Sequence, residues 1–231
     1  NFTAPEAKIM VVDDNEMNRK VAVGLLAPLK MQIDTAENGK QALEQILVKK
    51  YDLIFMDHMM PVMDGIEATK RLREMEDAYC KNVPVIALTA NAIVEARAKF
   101  FEAGMNDFAA KPIDLKDICA KIRRWLPSEY IIENDMDMTA TSDAEQIQEE
   151  LPIIEGLEVS EGIKNSGTKE LFISLLGDFY KLIDMKSAKM EKCLADDLLR
   201  DYTIEVHALK NTARMIGAME LSKWCYELEQ A

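Results

Sequence analysis

The chain has 231 residues, of which 48% are hydrophobic and 30% are charged, a composition typical of a soluble globular protein. Its formal net charge of −13 argues against nucleic-acid binding, and no apolar run approaches the length of a membrane span. Because the sequence begins at Asn1 with no initiator methionine and no signal peptide, we expect a piece of a longer protein. The parent protein could be membrane-anchored, but we expect no direct membrane contact in this piece.

The four cysteines are too far apart in the sequence to form a Cys-x-x-Cys metal or redox motif. We predict that they are reduced thiols, which are typical of the cytoplasm, rather than a disulfide framework. The sequence therefore predicts a cytoplasmic location. The residues concerned are Cys80, Cys119, Cys193 and Cys225.

The negative charge is concentrated in residues 128–161, which hold eleven acidic residues and no basic one. Charge blocks of this kind are usually solvated and poorly ordered. We therefore predict a linker over 128–161, between a first domain over 6–127 and a second domain over 162–231. Such a linker would let the two domains meet and separate.

The first domain alternates between short apolar segments and helical patterns, which predicts five strand–helix units. Units of this kind form a parallel sheet covered by helices on both faces. We therefore predict a doubly wound, five-stranded parallel α/β fold of the flavodoxin-like class. The predicted strands are 8–14, 31–36, 51–57, 83–89 and 107–112, and the predicted helices are 15–29, 41–48, 66–72, 92–103 and 115–126.

From Thr168 onward the pattern is purely helical, because apolar residues recur every three or four positions. A second helix is predicted from about Leu199 to Ile216, and a third begins near Ala218. This predicts a smaller all-α helical-bundle domain. Since the chain ends at Ala231 within the third helix, we expect this bundle to be partial.

Four of the predicted strands end in side chains that suit phosphate chemistry, namely Asp13 and Asp14, Asp57, Thr89 and Lys111. Because the carboxyl ends of parallel strands share one edge of a sheet, we expect these side chains to meet there. Three carboxylates repel one another unless a cation lies between them, and Mg²⁺ accepts such oxygen ligands. The pattern predicts a Mg²⁺ site at which Asp57 is a nucleophile toward a phosphoryl group. Lys111 would supply a fixed positive charge, and Thr89 would hold a phosphoryl oxygen.

These residues resemble the response-regulator receiver family over 6–127. The resemblance implies that Asp57 accepts phosphate from a phosphohistidine of an upstream histidine kinase domain. The motifs that carry it are Asp13-Asp14, Asp57 with Met60-Pro61 and Met63-Asp64-Gly65, Ala87-Leu88-Thr89-Ala90, and Lys111-Pro112.

The resemblance also implies roles for individual residues of the site. Asp14, Asp57 and the backbone carbonyl of Met59 would bind Mg²⁺, while Asp13 would act through a metal-bound water. Thr89 and Phe108 would form a switch pair, in which the hydroxyl moves toward the phosphoryl group and the aromatic ring turns inward. The peptide bond between Lys111 and Pro112 is expected to be cis.

The chain has two histidines, and the first, His58, directly follows Asp57. Consecutive side chains of a strand face opposite sides of the sheet. We therefore interpret His58 as a structural or surface residue.

The second histidine, His207, shares a stripe of its predicted helix with Lys210, Asn211 and Arg214. We expect its imidazole at the edge of the core and open to solvent, where Lys210 and Arg214 would neutralise a phosphorylated ring. His207-Ala208-Leu209-Lys210-Asn211-Thr212-Ala213, followed by Ile216-Gly217-Ala218, resembles the histidine phosphotransfer family over about 157–231. The sequence differs from that family at Asn211, where a small residue, often glycine, is common. We expect this larger side chain to slow the docking of a receiver.

The two resemblances together imply a phosphorelay piece similar to the C-terminal part of a hybrid sensor histidine kinase. Asp57 would pass its phosphoryl group to His207, which would transfer it to a downstream response regulator receiver. Nothing resembles an ATP-binding kinase core, so we do not expect this piece to phosphorylate itself from ATP. Whether the chain forms a homo-oligomer stays open.

Two alternatives also stay open at this point. The helical domain could be an inert interaction or dimerisation module, which would bind partners without becoming labelled. The protein could instead be an aspartyl-phosphate phosphatase, which would release inorganic phosphate in steady turnover. Such enzymes generally carry a second acid two residues beyond the nucleophile, where this sequence has Met59.

Overall fold

The computed structural model describes residues 2–89, 94–133 and 153–230, and it contains the predicted five-stranded parallel sheet. The strands in chain order are β1 (Phe2–Thr3), β2 (Lys8–Val12), β3 (Gln32–Ala36), β4 (Leu53–Asp57), β5 (Val85–Thr89), β6 (Asp107–Ala110) and β7 (Ile132–Glu133). The sheet has the order β3-β2-β4-β5-β6, and all its neighbouring pairs are parallel. Every residue of β4 and β5 is buried, which explains their continuous apolar sequences.

Helices cover both faces of this sheet and form one apolar core on each side. The prediction of a doubly wound α/β fold is therefore confirmed. The helices of this domain are α1 (Glu16–Leu26), α2 (Gly39–Val48), α3 (Gly65–Glu74), α4 (Ala78–Asn82), α5 (Val94–Glu102) and α6 (Leu115–Trp125).

Several strands are shorter than the sequence predicted. The strand predicted over 83–89 begins at Val85, because Pro84 has no N–H to donate to a neighbouring strand. The strand predicted over 107–112 ends at Ala110, and the Lys111–Pro112 peptide bond is cis, as the resemblance implied. Asp13 and Asp14 lie in the loop after β2 rather than within a strand.

The helix starts follow local capping chemistry. The side chain of Asn15 accepts a hydrogen bond from the Met17 N–H, so the predicted N-cap of α1 is confirmed. Pro28 lies in a 3₁₀ turn over Ala27–Leu29 that ends this helix. The helix predicted over 92–103 begins at Val94, and its first two positions lie outside the described residues.

The segment predicted as a linker, 128–161, contains regular structure at both ends. Residues 128–130 form a 3₁₀ turn, and β7 then pairs antiparallel with β1, assisted by an ion pair between Arg123 and Glu133. A helix also begins at Val159. The acidic composition did not predict this structure, because the residues that these segments contact lie elsewhere in the chain. The rest of the segment, 134–152, falls outside the described residues.

The C-terminal region is all-α, as predicted, and consists of α7 (Val159–Ser166), α8 (Lys169–Ala195), α9 (Leu199–Met215) and α10 (Met219–Gln230). Thr168 caps α8 through its hydroxyl. The sequence did not predict α7. No helix in residues 2–89, 94–133 or 153–230 is both long and apolar enough to cross a membrane.

The helical domain packs against α1 of the α/β domain. Met17 and Val21 on α1 join a buried cluster with Phe172, Leu175 and Ile216 of the helical domain. Met17 and Val21 are each at most 2% exposed, and burying such a side chain contributes about 1.5–3 kcal/mol. This apolar contact brings α9, which carries His207, onto the edge of the sheet where the strands end.

Candidate functional site

The carboxyl edge of the sheet holds a buried cluster of two carboxylates and an ammonium group. The Lys111 Nζ lies 2.6 Å from Asp13 Oδ2 and 2.5 Å from Asp57 Oδ2. All three side chains are buried. Parallel strand ends therefore bring these residues together, as the sequence predicted.

Asp14 completes an acidic group that would hold a divalent cation. Asp13, Asp14 and Asp57 each offer one oxygen, and these oxygens all lie within 4.8 Å of one another. Three carboxylates and the single Lys111 ammonium leave a local charge of two negative units when all are ionised. Burial, followed by the nearby Asp13 and Asp57 carboxylates, raises the pKa of Asp14 to about 7. The donor set fits Mg²⁺, which prefers carboxylate oxygens and would offset this charge.

The pKa values of the two buried carboxyls, Asp13 and Asp57, are shifted in opposite directions. Burial, and then the Asp57 carboxylate, raise the pKa of Asp13 in spite of Lys111. Burial also acts to raise the pKa of Asp57, but Lys111 and His58 outweigh it and lower that pKa. Burial acts to lower the pKa of Lys111, and the two carboxylates more than reverse this effect. Asp57 is therefore an anion and Lys111 a cation at neutral pH.

Two residues at the start of α1 hold Asp13 in place, and the sequence reasoning missed both. The Asn18 Nδ2 donates to Asp13 Oδ1 at 2.9 Å and to Asp13 Oδ2 at 3.1 Å. The Arg19 Nη1 donates to the backbone carbonyls of Asp13 at 2.6 Å and Asp14 at 3.1 Å. Asn18 and Arg19 could have been identified from their position. They are polar residues one turn into the helix that follows a strand ending in acidic residues.

The remaining predicted receiver residues lie around this cluster. Thr89 is buried at the end of β5, and its carbonyl accepts a hydrogen bond from the Lys111 N–H at 2.7 Å. Phe108 is half-buried on β6, with the Arg97 guanidinium 4.2 Å from its ring centre. The Met59 N–H donates to Asp57 Oδ1 at 3.3 Å. The metal-binding role of the Met59 carbonyl and the switch role of Thr89 and Phe108 stay predictions.

His58 lies beside Asp57, a contact that its interpretation as a structural or surface residue did not include. Its Nδ1 is 3.1 Å from the Leu88 carbonyl oxygen and 3.5 Å from Asp57 Oδ1. Because a carbonyl can only accept, the short contact places a proton on Nδ1. The ring also packs edge-on against Phe100, at a centroid distance of 5.4 Å.

His207 is buried, so the prediction that it is open to solvent is wrong. Only 4% of the residue is exposed, and its ring contacts His58 edge-on at a centroid distance of 5.6 Å. Helical periodicity identified the stripe that His207 occupies, but it does not show that another domain covers that stripe. The Nε2 of His207 has no hydrogen-bond partner among the described residues.

Glu229 on α10 fixes the proton of His207, and no sequence motif pointed to it. The Nδ1 of His207 lies 2.6 Å from Glu229 Oε1. A carboxylate can only accept, so Nδ1 carries a proton, and the lone pair of the neutral form of the ring would be on Nε2. Burial acts to raise the pKa of Glu229, but hydrogen bonds from His207 and Lys210 outweigh it and lower the pKa to about 2.

The two cations predicted to support His207 occupy different environments. The Lys210 ammonium is buried, forms an ion pair with Glu229, and lies 3.5 Å from His207 Nδ1. Arg214 is exposed, although it also lines a cavity between the two domains. Lys210 therefore acts on the ring mainly through Glu229, and the supporting role of Arg214 stays a prediction.

Comparison with known proteins identifies the first domain. The family model for the response regulator receiver domain matches residues 9–123, and the match includes no part of the C-terminal helical domain. Hybrid signal transduction histidine kinase G of Dictyostelium discoideum is 40% identical over 124 residues, which are 53% of this chain and 4% of that protein. The chain spans between 4% and 16% of the length of the curated relatives it matches.

Two solved structures extend this comparison. One comes from the co-crystal of a Saccharomyces cerevisiae histidine phosphotransfer signalling protein with the receiver domain of its downstream response regulator. The match is 29% identical, covers 58% of this chain and 97% of that chain, and has a TM-score of 0.50. The other, the receiver domain of a Pseudomonas aeruginosa sensor histidine kinase with magnesium in its active-site cleft, is 37% identical. It covers 52% of this chain and 96% of that chain, with a TM-score of 0.48.

The sheet order, the acidic cluster with its lysine, and the match over residues 9–123 agree with one another. The curated relatives that match about half of the chain include hybrid histidine kinases. Residues 9–123 of the chain therefore form a response regulator receiver domain of the kind found in two-component signalling.

Proposed function

We propose that this chain is an intramolecular phosphorelay in which Asp57 receives a phosphoryl group and passes it to His207. The observation that carries the proposal is the docking of the helical domain on the receiver site. His207 contacts His58, the residue next to Asp57, and its Nε2 has no partner among the described residues. The His207 ring therefore lies beside the residue next to Asp57, which supports transfer between the two side chains.

The chain's own residues supply the charge and proton control for this transfer. The lone pair of His207 Nε2 attacks phosphorus, the bond between phosphorus and the Asp57 oxygen breaks, and the carboxylate leaves with the electron pair. The Nδ1 proton stays in its hydrogen bond to Glu229. Lys111 stabilises the Asp57 carboxylate on both sides of the reaction.

Mg²⁺ is part of this proposal. Asp13, Asp14 and Asp57 would hold it, with the Met59 carbonyl as the further ligand that the resemblance implies. When bound, the ion would neutralise charge on the transferring phosphoryl oxygens. Upstream, the proposal requires a kinase phosphohistidine, and downstream it requires a separate receiver. A cytoplasmic location, predicted from unpaired cysteines, belongs to the same proposal.

Labelling of the full chain with a small phosphodonor and Mg²⁺ tests the relay. We expect Asp57→Asn to abolish the base-labile acyl label, whereas the matched change Asp52→Asn, just before β4, should retain it. His207→Gln should retain the acyl label and lose transfer to a separately added receiver. Acyl label at the wild-type level on Asp57→Asn would contradict the receiver assignment of Asp57.

One observation favours a second function for the helical domain. The ring of His207 packs against His58, the residue next to Asp57, so the docked domain lies over the receiver site. An inert cover would limit access of a kinase to Asp57 without accepting phosphate. In that case His207→Gln would behave like the wild type in every transfer assay.

A further inference from the structure

Helix α8 runs antiparallel to α1 along the contact between the two domains. Near the start of α8, Leu171 lies against Gly24 of α1, where an added Cβ atom would come within 3.0 Å of the leucine Cδ2. Further along α8, Asp178 accepts a hydrogen bond from the Lys20 Nζ at 2.9 Å. Residue numbers therefore rise along α8 as they fall along α1.

This direction carries the later part of α8 beyond the start of α1. Lys186 follows Asp178 by about 12 Å along the same helix. On the receiver side, Asp14 precedes Lys20 and lies in the loop between β2 and α1. The direction of α8 therefore places Lys186 on the side of the receiver that carries the acidic group, near Asp14.

A buried glutamate of α9 holds the end of Lys186 in place. Glu205 is 7% exposed, and its Oε2 accepts a hydrogen bond from the Lys186 Nζ at 3.2 Å. Its Oε1 forms an ion pair with Lys189, one turn further along α8. Burial acts to raise the pKa of Glu205, but the hydrogen bond from Lys189 and the charge of Lys186 outweigh it and lower that pKa. Two ammonium groups and one carboxylate leave this group with one positive unit.

Asp14 is the receiver carboxylate that this positive group approaches. It is half-buried, whereas the other two carboxylates of the acidic group are buried. Burial raises the pKa of Asp14, and Lys186 is one of two ammonium groups that oppose this shift. The hydrogen bond to Glu205 raises the pKa of Lys189, and the Asp14 carboxylate adds to that shift. Both electrostatic effects act between the two domains, in agreement with the direction of α8.

We propose that Lys186 is a cation that the docked helical domain supplies to the acidic group at Asp14, so that docking and the binding of Mg²⁺ oppose each other. The three receiver carboxylates and Lys111 leave two negative units, which attract the positive group around Lys186. A bound Mg²⁺ ion would offset those two units and remove the attraction. The opposition is reciprocal, because a docked cation that weakens Mg²⁺ binding is displaced by Mg²⁺ to the same degree. The inference rests on the Mg²⁺ site of the proposed function, but it does not require transfer of phosphate to His207.

Calorimetric titration of Mg²⁺ into the full chain, after removal of divalent ions with a chelator, tests this opposition. We expect Lys186→Gln to bind Mg²⁺ roughly threefold more tightly than the wild type, because a repelling charge near Asp14 has been removed. Amide hydrogen exchange of residues 17–22 in α1 follows docking directly. Saturating Mg²⁺ should raise this exchange about threefold in the wild type and less in Lys186→Gln.

Two matched variants separate the charge of Lys186 from its packing. Lys186→Arg keeps the charge and should bind Mg²⁺ like the wild type, as should Lys181→Gln, at an exposed site on the same helix. Equal Mg²⁺ affinity of Lys186→Gln and the wild type would overturn the inference and leave the Mg²⁺ site of the proposed function intact. Tighter binding in Lys186→Arg would also overturn it, since packing would then be responsible. A wild-type protein that binds no Mg²⁺ would refute the proposed metal site, and the opposition with it.

Discussion

Asp57 and His207 are almost equally buried, but they are buried by different means. The receiver's own strand ends enclose Asp57, and Lys111 compensates its charge from the same domain. His207 contacts His58 of the receiver across the interface between the domains, and Glu229 and Lys210 balance it from within the helical domain. The receiver site is thus built by its fold, whereas the accessibility of His207 depends on a contact between domains.

The largest effect is expected from removing the compensating charge of the receiver site. Lys111→Met leaves the buried Asp13 and Asp57 carboxylates without their cation, so we expect the receiver to lose about 3–5 kcal/mol of unfolding free energy. Denaturant unfolding followed by Trp125 fluorescence, in a Trp224→Phe background, measures the receiver alone. Mg²⁺ should restore part of the loss.

The exposed Lys116 on α6 provides a matched control for this change. Lys116→Met should change the unfolding free energy by less than about 0.5 kcal/mol, because surface substitutions are usually near neutral. Equal stability of Lys111→Met and Lys116→Met would show that Lys111 does not balance the carboxylates.

The second prediction concerns the stability of the helical domain at low pH, which depends on Glu229. The pKa of Glu229 is lowered to about 2 in the folded domain, from an ordinary value of 4.5. Its stabilising effect is therefore complete above pH 4.5 and is lost as the pH falls toward 2. We expect the wild type to lose on the order of 1–3 kcal/mol more than Glu229→Gln between pH 5 and pH 2. Trp224 fluorescence in a Trp125→Phe background follows this domain, and parallel acid curves for the two proteins would contradict the assigned pKa.

A change at Glu229 should affect the orientation of His207 without affecting the labelling of Asp57. Glu229→Gln keeps an acceptor for the His207 Nδ1 proton but removes the charge that pairs with Lys210. We expect transfer from Asp57 to His207 to slow on the order of tenfold, equivalent to about 1.4 kcal/mol. Acyl labelling of Asp57 should stay at the wild-type level. Glu227→Gln, at an exposed position on α10, is the control, and equal slowing by both changes would show that Glu229 has no specific role.

The same comparison explains how far the sequence alone could lead. Asp13, Asp57 and Lys111 were predictable because parallel strands place their carboxyl ends on one edge, whatever connects them. The burial of His207 was not predictable, since the groups that cover it come from a domain far away in the sequence. Asn15 and Thr212, which share a hydrogen bond across that contact, are 197 residues apart.

Local patterns failed for a second reason in the helical domain. Glu229 follows His207 by 22 residues and lies on the next helix, so no spacing on a single helix identifies it. The helix α7 begins within an acidic segment, where charge suggested a linker. Periodicity identifies the buried face of one helix, but it does not identify which neighbour will cover a half-polar stripe.

The smallest effect is expected at His58, where the two sites touch. Its ring contacts His207, while its Nδ1 donates to the Leu88 carbonyl. His58→Phe keeps the ring without the donor, and His58→Asn keeps a donor without the ring. Aromatic pairs contribute about 0.5–1.5 kcal/mol, so His58→Asn should slow transfer to His207 about two- to tenfold. His58→Phe should transfer at close to the wild-type rate.

Rates of transfer are compared after normalising to the acyl label on Asp57, because His58 is adjacent to that residue. If the ring contact aligns His207 with Asp57, the order of rates is wild type, His58→Phe and then His58→Asn. The reverse order for the two variants would show that the hydrogen bond to Leu88, rather than the ring, supports transfer. Either order therefore shows which part of His58, its ring or its hydrogen bond to Leu88, supports transfer from Asp57 to His207.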